Sequence, residues 1–281
     1  MKTRCSVVAL ALVAGLGGTQ MAGAGMPGGQ TPGAHAAGAG VGQAPEPVRL
    51  AGQPAVAAGF AAFPRLLAPT GAQAQRINKA LAEADDRGRS AAMECRASGK
   101  EAQADPKDIS WTRTVSVAMR GPRYLSVVAA DDWFCGGAYP STDSFALAYD
   151  MQTGSPLNWE RLLPKALVQS AALDNAGDGT RLGVVRSPAL KAMYLRAAKL
   201  DADCTQALRE TDLSFMLWPD AQRNGVALAP SGLPHVIAAC GADVVIPVPE
   251  LRKLGVAPAL LDAIATAYQA GLYGMGDGTP R

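Results

Sequence analysis

Two runs of strict alternation separated by a turn constrain this chain more than any other feature. Tyr124, Ser126 and Val128 alternate with Leu125, Val127 and Ala129, and Phe145, Leu147 and Tyr149 alternate with Ser144, Ala146 and Ala148. A period of two is what a half-buried strand requires. Gly136-Gly137 and Pro140-Ser141 lie between the runs and let the chain reverse. Asp150-Met151-Gln152-Thr153-Gly154 then supplies a second turn, with a third extended piece expected at Pro156 to Trp159. The stretch predicts an antiparallel meander at the centre of the fold.

Its surroundings predict α+β. Ile77, Leu81 and Ala84 recur at helical spacing between Thr70 and Gly88, and Trp111 to Arg120 alternates as another strand. Ser90 to Ala97, carrying Cys95 among Arg89, Glu94 and Arg96, reads as a further strand with an exposed face or edge. The expectation is an antiparallel sheet of about five strands. Downstream, Leu162, Leu163, Leu167 and Val168 predict a helix over Glu160 to Leu173, with Pro164 tolerated near its first turns. Ser187-Pro188 starts a second helix through Leu190, Met193, Tyr194 and Ala197. Leu213 to Trp218 and Gly225 to Leu228 flank Pro219-Asp220 as a hairpin, and Asp243 to Val248 is a last strand. A short turn of helix at Leu251 and Leu254 and a terminal helix over Pro258 to Tyr268 complete the domain. Strands early, helices in the middle and a strand-rich return late do not follow the alternation of a doubly wound sheet.

The first fifth of the chain is unlike the rest. Lys2 and Arg4, the apolar run Val7 to Leu16 and Ala22-Gly23-Ala24 form the pattern of a secretory signal peptide over residues 1 to 24. The run is shorter than the ~18 residues a membrane span needs, so no transmembrane segment is expected in the mature chain. Residues 25 to 59 are Gly-, Ala- and Pro-rich and read as a disordered tether that includes His35. A single domain is expected over 60 to 273, opened by Phe60, Phe63, Leu66 and Leu67, with a tail at 274 to 281. The protein is therefore expected in the periplasm or secreted.

Loss of Lys2 and Arg4 with the signal leaves equal numbers of basic and acidic residues, so bulk charge gives no reason to expect nucleic acid as a partner. Loss of Cys5 leaves Cys95, Cys135, Cys204 and Cys240, an even set in an oxidising compartment. Of the three connectivities, Cys95 with Cys135 and Cys204 with Cys240 is favoured because each bridge staples neighbouring segments. Each would close a loop of about 40 residues and stabilise by ~3 to 4 kcal/mol on the chain-entropy model. A zinc site would need a C-x-x-C pair that the chain lacks, and no metal or cofactor is expected.

Chemistry-bearing patterns are sparse. Asp174-Asn175-Ala176-Gly177-Asp178-Gly179 has calcium-loop spacing at three positions, but Ala176 and Val185 stand where ligands are needed, so it reads as a polar loop between helices. Asp131-Asp132, followed by Trp133 and Phe134, joins carboxylates to an aromatic platform of the kind glycan sites use. Adjacent strand residues point to opposite faces, so a solvated strand end is favoured over an acid pair. The Trp133 to Tyr139 loop remains the best binding surface, with Asp131, Asp132, Trp133, Phe134 and Tyr139 as candidates. His235 has no G-x-S-x-G elbow or free thiol to serve and reads as a loop residue. No residue is assigned as catalytic.

The Phe63-Pro64 start, the Arg76-Ile77-Asn78 helix, the Gly136-Gly137-Ala138 loop, the Tyr149 to Gly154 turn with Leu157 and Leu162, and the Pro219-Asp220 and Ile246-Pro247 segments form a recognisable order. In these the chain resembles the extracytoplasmic domain family of the lysozyme-sensing anti-sigma factor RsiV, a domain type also found beside peptidoglycan deacetylase domains. The resemblance implies an α+β ectodomain of the cell envelope that binds or accessorises rather than catalyses, with a lysozyme-like protein or peptidoglycan as partner. No transmembrane helix precedes the domain in this sequence, and Pro140 stands where members often carry a histidine soon after the paired glycines. The alternative from the residues alone is an envelope enzyme acting on glycans through carboxylates near Asp131 and Asp132.

Overall fold

The structure is a computed structural model that describes residues 48 to 276. The signal peptide, most of the tether and the last five residues lie outside the described residues. Within them the tether ends earlier than the sequence predicts. Val48 is buried, and Arg49–Ala51 (β1) pairs antiparallel with Arg65–Ala68 (β2).

The longest element corrects the sequence reading most. Helix α1 runs unbroken over Ala72–Glu101, through the segment Ser90 to Ala97 that was expected as a strand. Its buried positions, Ala74, Ile77, Leu81, Ala84, Asp85, Gly88, Ala92, Cys95 and Gly99, recur every three or four residues along the whole length. One continuous stripe of this kind outweighs the weak local preference of a short mixed segment. Arg89, Glu94 and Arg96 are exposed on its solvent side. Gly88 costs about 1 kcal/mol of helix propensity relative to Ala. A Cβ there would lie 2.6 Å from the Phe60 ring and 2.9 Å from Arg113 Nη1, so glycine lets the helix approach the sheet.

Helix α1 crosses one face of a four-stranded antiparallel sheet made of Ser110–Arg120 (β3), Tyr124–Phe134 (β4), Ser141–Asp150 (β5) and Ser155–Pro156 (β6), in sequence order. The central alternation therefore folds as a meander. Strand β4 runs on past the alternation that reaches Ala129, so Asp131, Asp132, Trp133 and Phe134 are strand residues and the loop begins at Cys135. The third extended piece is the short β6, after which Trp159–Leu162 forms α2.

The other face packs against a five-stranded antiparallel sheet with order β11-β10-β9-β8-β7. Its members are Ser170–Asn175 (β7), Arg181–Arg186 (β8), Ser214–Asp220 (β9), Gly225–Ser231 (β10) and Val244–Pro247 (β11). The helix expected over Glu160 to Leu173 does not form beyond α2. Leu163, before Pro164, is extended at φ −98°, as the residue before a proline prefers, and after one 3-10 turn at Lys165–Leu167 the chain enters β7. Hence Asp174 to Gly179 spans the end of β7 and the connection to β8, and does not join helices. His235 opens a 3-10 turn, His235–Cys240.

Helices α3 (Pro188–Ala197), α4 (Ala202–Glu210), α5 (Val248–Lys253) and α6 (Pro258–Gln269) cover the outer face of this second sheet. Ser187 and Asp201 cap α3 and α4, accepting from Leu190 N–H and Cys204 N–H. Strand β9 is buried on both sides. Met216 and Trp218 join the core shared with the first sheet and α1, while Phe215 and Leu217 join the core under the helices. The result is α+β, with two stacked antiparallel sheets flanked by helices.

Both disulfides pair as the sequence favours, Cys95 with Cys135 and Cys204 with Cys240. The first ties α1 to the residue after β4, and the second ties α4 to the 3-10 turn before β11. They close similar lengths, 40 and 36 residues. Replacing either pair with serines is expected to cost a similar ~2 to 5 kcal/mol, measured as the shift in urea midpoint under oxidising conditions.

Candidate functional site

The site is built around a charge that the first sheet buries. Arg113 on β3 sits on the inward face, where it is 2% exposed, beneath Gly88 of α1. The rings of Phe60, Phe63 and Phe145 surround the guanidinium carbon with centroids at 4.4, 5.3 and 5.2 Å. Directly across the sheet, Asp131 of β4 accepts from Arg113 Nε at 2.6 Å and Nη2 at 2.5 Å, and from the Trp111 indole N–H at 3.1 Å. Burial opposes the Arg113 charge, but Asp131 and then Asp178 outweigh it and hold the guanidinium above its ordinary pKa.

Asp178 comes from the other sheet. The connection 176 to 180 between β7 and β8 reaches over so that Asp178 Oδ2 lies 2.6 Å from Arg113 Nη2, while Asp178 Oδ1 accepts from Thr180 N–H. Two further anchors hold it. Gly177 N–H donates to Asp143 Oδ2 at 2.7 Å, and Gly177 lies so close to Trp133 that a Cβ would come within 2.8 Å of the indole. Burial, followed by the charges of Asp131 and Asp178, raises the Asp143 carboxyl above its ordinary value, while the Gly177 and Ser144 N–H groups pull the other way.

This connection is one wall of a cleft of about 500 Å³ between the open ends of the two sheets. A volume of that size suits a small ligand or one segment of a larger one. Thr142 and Ser144 pair with Asp132 and Ala130 and share the face turned towards the second sheet. Met216, Ala229 and Ser231 face them, with His235 and Asp243 nearby. No Lys or Arg lines the cleft among the described residues. Asp243 is paired to Arg223 at 2.5 Å and Asp174 accepts from Ser231 Oγ at 2.8 Å, whereas Asp132 makes no ion pair.

The five candidate residues are therefore not one surface. Asp131 is a buried ion-pair partner, which corrects the expectation of a solvated strand end. Asp132 is exposed in the cleft. Trp133 is half-buried, lines the cleft and stacks on Trp111 with centroids 4.8 Å apart and planes at 15°. Phe134 and Tyr139 are not among the lining residues, and Tyr139 is 73% exposed in the following loop. Sequence reasoning missed Arg113, Thr142, Asp143, Ser144, Asp178 and Ser231. One signal was present, namely an arginine in phase with the inward Val115 and Val117 of β3.

Fold and cleft define the class as an α+β domain carrying two disulfides and a ligand-sized cleft between stacked sheets. Among the described residues no helix is long and apolar enough to cross a membrane, and no three His, Cys, Asp or Glu side chains gather as a metal site. The chain matches no family model and no curated protein. Among solved structures it is similar to a DUF3298 family protein from Pseudomonas aeruginosa PAO1, at 16% identity over 55% of this chain and 67% of that one. The TM-score is 0.33, a likeness too slight to define fold or function.

Removing one partner of a buried pair strands the other charge, at about 3 to 5 kcal/mol. Asp131→Ala is therefore expected to lower stability by that order in urea unfolding. Asp132→Ala, one residue away but exposed, is expected to fall within about 0.5 kcal/mol of the unmodified protein.

Proposed function

We propose that the chain is an exported, non-catalytic binding or accessory module of the cell envelope that seats its ligand in the cleft between the two sheets. The observation that carries this reading is the fixed cleft wall, locked to the first sheet by the Arg113–Asp178 ion pair and the Asp143–Gly177 hydrogen bond. A prearranged cavity suits binding because little ordering entropy is lost on capture. The two disulfides support export, since such bonds persist in oxidising compartments. The expected partners are a lysozyme-like protein or peptidoglycan. The second reading, an enzyme acting on glycans through Asp131 and Asp132, is weakened because Asp131 is consumed by Arg113 and the two side chains point to opposite faces.

The test is capture of lysozyme and of insoluble peptidoglycan by the oxidised chain in high salt, beside a Thr142→Trp variant that fills the cleft. Saturable capture of either, lost in the variant, is the expected result. No capture of either, or capture indifferent to the variant, overturns the cleft as the site. Release of glycan fragments that stops with Asp132→Asn would replace the module by an enzyme.

A further inference from the structure

The cleft wall is held among more carboxylates than its arginine can answer. Arg113, Asp131 and Asp143 form a row across three neighbouring strands, because the registers set Arg113 opposite Asp131 and Asp131 opposite Asp143. Asp178 closes over this row from the second sheet. Arg113 pairs through Nη2 with Asp131 at 2.5 Å and with Asp178 at 2.6 Å, while its Nη1 lies against Gly88 of α1 and meets no acceptor. Asp143 makes no ion pair. Like charges directly opposite on adjacent strands repel, so the third carboxylate is kept there at a cost.

Main-chain donors hold Asp143 in place. Oδ2 accepts from Gly177 N–H at 2.7 Å and Oδ1 from Ser144 N–H at 2.8 Å. The other charged groups around the wall do not pair with it. On α1, Asp86, Arg87 and Glu94 line a second cavity together with Gly177, Asp178 and Gly179, and there Asp86 is paired to Arg89 while Arg87 joins no carboxylate. On the cleft side Asp132 sits on the opposite face of the sheet, Asp243 is paired to Arg223, and His235 is exposed. Arg181, opposite Asn175 at the start of β8, is exposed and makes no ion pair.

When Asp143 takes up a proton, the cost of burying its charge and the repulsion from Asp131 and Asp178 both vanish, while its carbonyl oxygen still accepts from Gly177. What is lost is the charge assistance of two N–H bonds. Burial, with the two neighbouring charges, outweighs those donors and raises Asp143 above its ordinary value. We propose that Asp143 is a pH-sensitive latch on the cleft wall, gripping the connection 176 to 180 more firmly when protonated than when ionised. The consequence, a binding cleft that is firmer in mild acid, rests on the cleft as the binding site; the latch itself does not. The direction follows from linkage. Swinging the connection away returns Asp143 to water and to the ordinary carboxyl range, so the closed wall binds the proton more tightly than the open one. The added grip is complete below about pH 4, the ordinary range, and is lost as the pH rises through the raised value.

The test is hydrogen exchange of the peptide spanning residues 175 to 180 in the oxidised chain, from about pH 4.5 to about pH 7.5, expressed as protection relative to the intrinsic rate at each pH. Asp143→Asn keeps an acceptor for Gly177 and removes the charge, and urea unfolding checks its fold. In the unmodified protein, protection is expected to be about three- to tenfold higher at the acid end, while Asp143→Asn stays high throughout and β9 changes in neither. Protection indifferent to pH, or equally dependent on pH in Asp143→Asn, overturns the latch. The carboxyl carbon shift of Asp143 by NMR gives a readout that needs no variant. A titration midpoint above that of the exposed Asp132 supports the latch, and one at or below it overturns it. If the wall responds to pH as expected while neither lysozyme nor peptidoglycan is captured at any pH, the latch stands and the cleft reading falls.

Discussion

One buried charge organises the functional end of this molecule. Arg113 lies among three phenylalanine rings with almost no solvent, and taking a guanidinium out of water is unfavourable by several kcal/mol unless carboxylates replace the lost hydration. Asp131 supplies one from the neighbouring strand, and Asp178 supplies the other from the opposite sheet. The electrostatic demand of one side chain thus fixes the position of a connection between sheets. Gly88 and Gly177 belong to the same arrangement, since any side chain there would collide with Arg113 and Phe60, or with Trp133.

The consequence for function follows from where that connection lies. Residues Asn175, Ala176 and Gly177 form a cleft wall, and Asp143 holds Gly177 from the other side. The walls are hydroxyls, carboxylates, an indole and small apolar groups, carried by strand ends, by the anchored connection after β7 and by the segment around the 3-10 turn His235–Cys240. Such a site is suited to recognition by shape and hydrogen bonding, with selection against anions.

The parts of the fold legible in the sequence are those whose signal is local. Strands β3, β4 and β5 declare themselves by period two, the β9 and β10 hairpin by its turn at Pro219-Asp220, and α6 by its apolar spacing. The second half of α1 was hidden because Ala92, Cys95 and Gly99 are small and lie among charges, so their spacing shows only when read as a continuation of Ile77 and Leu81. Strands β7 and β8 were hidden because Leu162, Leu163, Leu167 and Val168 mimic a helix, and Pro164 decides against it. The site was less legible still. Asp132 and Trp133 were found, but the role of Asp131 depends on Arg113, eighteen residues away, and on Asp178 in another sheet. No local pattern joins three residues that only the packing of two sheets brings together.

Hydrogen exchange by mass spectrometry on the oxidised protein and its Asp178→Asn variant tests the central claim most directly. If the ion pair with Arg113 fixes the cleft wall, protection falls in the peptide spanning residues 175 to 180 while β9 and α6 exchange as before. Unchanged exchange in that peptide, or a uniform rise across the molecule, would contradict the account.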